Sequence, residues 1–500
     1  LPRPLEVAFL ALLLALAPAA RAADALGERL DAIFGGAALR DAEVGVAILD
    51  LETGAPLYER DAGRPLIPAS NEKLVTTACA LDRLGGGHRF ETLLFRAGEL
   101  RGDTLQGDLI VRGGGDPCMD ARFDGVPDAV PRRFARALRE AGIRRVTGDV
   151  VADDRLFDRE FRHPGWPRDQ LDRWYTAPVS ALSLNDACVD VTVAPGARPG
   201  LPVAVTLAPA CALFEVDLRA ITTGERREHV ISVERRLGTD RLIVRGAALA
   251  GAQPVSTSVT VEDPALFFAA VLRERLVEEG VAVGGRARLF SESDAAREVV
   301  PVAGHVSLLA EALPVTNKRS QNFYAEMLLK SIAAAEGRGP GSFAGGAAAL
   351  ARFLREGGAR EGSFVIEDGS GLARGNRIAP REIARLLVRM AGHREAALYV
   401  ASLAAPGEPG GTLEGRIRSP LARGRVRAKT GTIHGVSALS GYVFSKDEAL
   451  LPRRGVAFSI LANGLRRGVG PAREAQDACV SVLLEALAAP PPAGEPGEGR

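Results

Sequence analysis

The feature that most constrains this chain is a change of texture along it. Residues 28–92, and those beyond about 300, carry apolar runs at helical spacing. Residues from about 92 to 300 are dominated by short β-rich runs broken by turns such as Gly113-Gly114-Gly115-Asp116-Pro117 and Pro195-Gly196. The first flank holds a β-hairpin pattern from Glu43 to Tyr58 around Glu52-Thr53-Gly54. A helix follows over 70–84 that is apolar nearly all round (Leu74, Val75, Ala78, Cys79, Ala80, Leu81) and ends at Gly85-Gly86-Gly87. Such a helix belongs inside a domain. The second flank predicts helices over 305–313, 320–336, 344–357 and 380–391, strands over 426–433, 437–444 and 455–463, and a last helix over 470–488. Helical ends around a β-rich middle imply one α/β domain interrupted by an insertion of about 200 residues, and 500 residues suit three domains.

The ends carry other signals. Arg3, the apolar run Val7–Leu16 and Ala20-Arg21-Ala22 predict a cleaved signal peptide over 1–22. The run is short for a membrane span. The protein is therefore expected to be exported and soluble after cleavage, in the periplasm or another extracytoplasmic cell-wall space. Residues 489–500 are rich in Pro, Gly and Glu and are expected to form a disordered tail. A net charge of +1 argues against nucleic-acid binding through bulk electrostatics. The six His are scattered, no H-E-x-x-H or C-x-x-C occurs, and no metal site is expected. Of the five Cys, Cys79 reads as a small buried hydrophobe, and Cys188 with Cys211 is the one pairing worth entertaining.

The 63 basic residues divide into 58 Arg and 5 Lys, so each Lys needs a reason. Two of the five fall in motifs with chemistry. In Ser70-Asn71-Glu72-Lys73 the Ser and Lys, three apart at a helix start, share a face. Ser70 then sits where helix dipoles favour a developing negative charge, and Lys73 can serve as its base if its pKa falls from about 10.4 toward 7. The second is Lys429-Thr430-Gly431-Thr432, on a predicted strand. Its ammonium can hold a carboxylate, its edge can pair with an extended peptide, and Gly431 permits close approach. A third motif, Ser320-Gln321-Asn322, opens an apolar helix. The order S-x-x-K, S-x-N, K-T-G is that of the penicillin-recognising serine enzymes.

With these motifs the chain resembles peptidase family S13, the type-4 penicillin-binding proteins. Further segments are similar to that family: Leu109 to Pro117, Gly148-Asp149-Val150-Val151, Pro164-Gly165-Trp166, Asp368-Gly369-Ser370-Gly371-Leu372 and Lys429 to Val443. The resemblance spans roughly 25–485. It implies an α/β (α+β) fold: a β-lactamase/transpeptidase-like domain, with an antiparallel sheet flanked by helices, interrupted by two inserted β-rich domains. The expected boundaries are 23–92 and 300–488 for the catalytic domain, 93–155 and 246–299 for the inserted domain, and 156–245 for a domain nested within it.

The resemblance also implies a serine-type D-alanyl-D-alanine carboxypeptidase with DD-endopeptidase activity. It would act on peptidoglycan stem peptides and be acylated by β-lactam antibiotics, with no cofactor. Ser70, Lys73, Ser320 and Asn322 would be catalytic; Lys429, Thr430, Gly431 and Thr432 would bind substrate. Lys429 would help keep Lys73 neutral by charge repulsion, and the N–H groups of Ser70 and Thr432 would form the oxyanion hole. Asp153 or Asp154, with Arg374, would clamp the ends of a diaminopimelate side chain. Gln321 stands where relatives often carry Asp or Asn, a position not expected to take part in the chemistry. The rivals are a serine β-lactamase, opposed by the 247 positions between Lys73 and Ser320, and a cell-wall-binding module with a vestigial site, opposed by the intact Ser and Lys residues. A Ser-His-Asp hydrolase is a poor third, because no G-x-S-x-G occurs.

Overall fold

A computed structural model describes residues 25–445 and 454–488. The expected signal peptide and tail lie outside the described residues.

The two flanks build one five-stranded antiparallel sheet. Its order is Val426–Ile433, Val436–Phe444, Gly455–Asn463, Glu43–Asp50, Pro56–Arg60. The three C-terminal strands lie where the sequence pattern predicts them. The register joins the chain's extremes, with Glu43 opposite Asn463 and Asp50 opposite Val456. Strand alternation divides the sheet's side chains between two cores. Leu439 and Val443 face one core with Leu30, Phe34, Val480 and Leu484, from the helices at 25–34 and Gly470–Ala488. Ala438, Tyr442 and Phe444 face the other, with Leu386 and Leu387 of helix Pro380–Ala391. That second core also takes helix Glu72–Arg83, buried from Glu72 to Leu81 and packed on helices Leu309–Asn317, Asn322–Ala335 and Phe343–Glu356.

The middle of the chain forms separate sheets. A seven-stranded sheet is built on the pair Arg89–Arg101 and Thr104–Arg112, with Val300–Leu308 on the outer side of the first. Helices Ala129–Glu140 and Pro264–Glu278 pack against each other beside it. A three-stranded sheet (Cys188–Ala194, Ala204–Ala208, Val255–Thr260) and a four-stranded one around Arg241–Leu249 share a small Val-rich core. Two details depart from the sequence pattern. The run at 89–101, with Arg and Glu on its exposed positions, is a long strand. The segment at 305–308, expected to open a helix, continues strand Val300–Leu308, and the helix starts at Leu309. The charged positions alternate with buried ones such as Phe90, Thr92 and Leu94, which is the periodicity of a strand with one face toward water.

All five cysteines are buried and unbonded. The Cys188–Cys211 pairing therefore does not form. Both side chains pack as small apolar groups in the main core.

Candidate active site

Helix Glu72–Arg83 is preceded by a 3-10 turn, Ala69–Asn71, so Ser70 lies one turn before Lys73. The turn is fixed at three points. Asn463 accepts from the Ile67 N–H and donates to the Ile67 carbonyl, at 2.8 and 3.1 Å. Asn71 Nδ2 donates to the Lys429 carbonyl at 2.9 Å. Gly431 lets the edge strand approach, since a Cβ there would lie 2.8 Å from the Pro68 carbonyl oxygen and 3.1 Å from the Ser70 nitrogen.

Lys73 Nζ is fully buried and has three partners: Ser70 Oγ at 3.0 Å, Asn322 Oδ1 at 2.7 Å and the Ser370 carbonyl at 2.9 Å. Two of these can only accept. A neutral amine has two N–H donors and one lone pair, so the lone pair is left for the Ser70 hydroxyl. Burial is the main cause that lowers the Lys73 pKa, to about 8, against the opposing pull of Glu326, Asp368 and Glu72. The expected help from Lys429 is not among the causes of this shift. Burial first, and then the Lys73 charge, push Lys429 well below its usual range instead. Lys429 Nζ donates to Ser320 Oγ and to the Thr430 carbonyl, both at 2.8 Å. Its contacts are neutral oxygens, so its ammonium is an uncompensated buried cation that an arriving anion would stabilise.

The structure thus brings together Ser70, Lys73, Ser320, Asn322, Lys429 and Gly431. Ser320 adopts a left-handed φ of +62°. Thr432 lines the cavity over Ser70, a space of about 620 Å³, and its hydroxyl accepts from Arg473 at 3.2 Å. Strand Val426–Ile433 is the sheet edge. Ala428 exchanges both backbone hydrogen bonds with Ala404 on the outer side, so Thr430 and Thr432, of the same parity, aim their backbone groups outward too.

Three features of the site were given no role by the sequence, although parts of them lie in the family-like segments. The cavity wall is completed from the insertion by Gly165, Pro167, Gln170, Trp174 and Tyr175, and the Tyr175 carbonyl accepts from Asn322 Nδ2 at 2.8 Å. The Asp368–Gly371 turn wraps behind Lys73. Asp368 Oδ1 accepts from the Gly371 N–H at 2.8 Å, across the same peptide whose carbonyl meets Lys73, and Glu326 accepts from the Gly369 and Ser370 N–H groups at 2.9 and 2.8 Å. Burial raises Glu326 to about 8. Glu72 is fully buried, neither carboxylate oxygen has a hydrogen-bond partner, and burial holds its pKa well above the usual range. Gln321 is also buried, and its amide donates to Asp186 at 2.6 Å, so this position is a structural tie to the insertion.

The proposed clamp is corrected in part. Asp153 is bonded to Arg112 and Arg155, and Asp154 to Arg159 and Ser180; both are buried and neither lines the cavity. Arg374 does line it, donating to the His434 carbonyl at 3.0 Å. Among the described residues no cluster of His, Cys, Asp and Glu could hold a metal ion, and no helix is long and apolar enough to cross a membrane.

The chain is similar to known proteins. The chain is 37% identical over 473 residues to the D-alanyl-D-alanine carboxypeptidase of Actinomadura sp. (strain R39), covering 92% of this chain and 84% of that one. The fold matches the crystal structure of penicillin binding protein 4 (dacB) from Haemophilus influenzae with a TM-score of 0.77 and 24% identity, over 91% of this chain and 99% of that one. A second structure of that protein, complexed with a β-lactam, matches with a TM-score of 0.71 at 24% identity, over 91% and 98% of the two chains. The sequence also matches a family profile over residues 26–485, and on these grounds the chain belongs to the D-Ala-D-Ala carboxypeptidase 3 (S13) family.

Proposed function

We propose that this protein is a serine-type D-Ala-D-Ala carboxypeptidase and endopeptidase that acts on peptidoglycan stem peptides through an acyl-enzyme and is acylated by penicillin. The observation that carries the reading is the position of Lys73 Nζ, 3.0 Å from Ser70 Oγ with two obligate acceptors fixing its other hydrogens. Ser70 Oγ attacks the carbonyl carbon of the D-Ala-D-Ala bond while its proton passes to the Lys73 lone pair. The Ser70 and Thr432 N–H groups hold the resulting oxyanion, an effect of about 3–4 kcal/mol per donor. The C–N bond then breaks, and the leaving amine takes a proton through Ser320. Water hydrolyses the ester and restores Ser70. Asn322 contacts the substrate amide and orients Lys73. Lys429 pairs with the terminal carboxylate, assisted by Thr430 and Thr432, and Gly431 lets the chain approach. Arg374 meets a side-chain carboxylate of the stem peptide.

We also read residues 1–22 as a signal that sends the protein to the periplasm or an equivalent cell-wall space. The strand pairings favour a catalytic domain of about 25–88 and 309–488, an inserted domain of about 89–155 and 264–308, and a nested domain between them. Mass spectrometry of the mature protein after incubation with penicillin tests the functional reading. One adduct on Ser70 is expected; no adduct overturns it. Nitrocefin turnover at many cycles per second would favour the β-lactamase instead.

A further inference from the structure

A second cleft of about 640 Å³ adjoins the cavity over Ser70, and Trp174 and Arg319 line both. That volume is in the range that encloses a drug-sized ligand. Where this cleft lies along a bound peptide follows from the sheet edge. An extended ligand can pair with the outward backbone of Thr432 and Thr430. It cannot continue past Thr430, because Ala404 already occupies the edge at Ala428. The chain that follows Ala404 then closes over this end: Thr412 N–H donates to the Lys318 carbonyl at 3.0 Å, Glu408 pairs with Lys318, and Gly410 lines the second cleft. A ligand leaving the edge here is turned into the second cleft. This is the Ser320 and Lys429 end. On the functional reading above, it is the side of the departing amine.

The cleft is built, and its charges are nearly all used. Arg122 is held between Asp120 and Asp186, and Asp186 also accepts from Gln321. Asp190 accepts from Ser258 and Asn185. The floor at Asn185, Asp186 and Ala187 is three successive left-handed residues, with φ of +50°, +55° and +54°. Such backbone persists only where its surroundings over-determine it. Two lining charges make no ion pair among the described residues: Asp190, whose oxygens take neutral donors, and Arg319, the one unpaired cation, while adjacent Lys318 is paired with Glu408. Beside it Trp174 is 45% exposed, an aromatic face open to both cavities.

We propose that this second cleft is the subsite for the amine-side stem peptide of a cross-linked substrate, with Arg319 pairing a carboxylate of that peptide and Trp174 packing on its chain. A carboxypeptidase step releases one D-alanine, which needs no such space. A cross-link cleavage releases a whole second peptide, anionic and several residues long, which must leave the sheet edge at this end. The proposal rests on the functional reading above and adds the substrate form and the residues that select it.

The test compares a cross-linked tetrapeptide dimer with a monomeric pentapeptide on three proteins: unsubstituted, Arg319→Ala, and Ser256→Trp. Ser256 lines the cleft, and an indole there would intrude on it. The rate of penicillin acylation controls for folding. Expected is a fall of about 10-fold in kcat/KM on the dimer in both variants, with the pentapeptide and penicillin within about twofold in Ser256→Trp, whose position lines the second cleft and not the cavity over Ser70. Equal losses on dimer and pentapeptide in Ser256→Trp, or no loss on the dimer, overturn the subsite. Turnover of the pentapeptide alone by the unsubstituted protein overturns the subsite and the endopeptidase half of the functional reading, and leaves the carboxypeptidase reading standing. Turnover of neither overturns both.

Discussion

Gly371 offers a test of how tightly the turn behind Lys73 is built. Its φ is +79°, and a Cβ there would lie 1.9 Å from the Ala69 carbonyl oxygen and 3.0 Å from Glu72 Cβ. Side-chain carbons do not approach backbone closer than 3.0 Å, so Gly371→Ala must open this contact by about 1 Å. Either partner's retreat reaches the chemistry. Ala69 precedes Ser70, and the Gly371 N–H belongs to the peptide whose carbonyl holds Lys73. A displacement of about 1 Å between reacting groups costs on the order of 100-fold in rate. Gly85 is the matched control: its φ is also +79°, with nothing within 4 Å of the added Cβ. Gly85→Ala meets only the left-handed backbone strain, about 1–2 kcal/mol, or a few degrees in Tm. The assay is the second-order rate of penicillin acylation, read beside thermal unfolding. Gly85→Ala should lose Tm and acylate at the unsubstituted rate; Gly371→Ala should lose Tm and about 100-fold in acylation. Equal acylation by the two variants would refute the reasoning.

Three further outcomes are expected. Because Lys73 acts as a base only when neutral, kcat/KM should rise with pH to a half-point near about 8, and Glu326→Gln, which removes a charge that raises Lys73, should move that half-point down; an unmoved or higher half-point in stopped assays across pH counts against it. Glu72→Met should stabilise the fold by about 1–3 kcal/mol in urea unfolding, since it removes a buried carboxyl without partners. Folding protonates Glu72 relative to the unfolded chain, so the gain should grow as pH rises above the ordinary carboxylate range; a gain that shrinks with pH would contradict the assignment. Asn463→Ala removes both hydrogen bonds to Ile67 and should cost about 1–3 kcal/mol with a slower acylation; unchanged stability would mean the turn is held elsewhere.

The sequence pattern was most legible where the chemistry is local. Ser70 and Lys73 are one helical turn apart, so spacing alone places them on one face. The strand at 455–463 announces itself as a short, nearly continuous apolar run, and the scarcity of Lys singles out Lys73 and Lys429. What stayed hidden depends on backbone or on distant partners. The Ser370 and Tyr175 carbonyls that fix Lys73 and Asn322 have no residue identity to read. Asp153 and Asp154 looked free because Arg112 and Ser180, 41 and 26 positions away, reach them only in the folded chain. Gln321 looked idle because its partner, Asp186, is 135 positions away.

The register that sets Glu43 opposite Asn463 also has a temporal meaning. A ribosome delivers strand Glu43–Asp50 early and its neighbour Gly455–Asn463 almost last. Until then the first strand has only the short hairpin partner Pro56–Arg60, and a lone hairpin is marginal in water. Contacts of such high sequence separation also form slowly. The intervening sheets pair within the middle of the chain and can form first. A chain that stops short of Gly455–Asn463 therefore cannot close the catalytic sheet, and hydrolytic competence is withheld until that strand has been made.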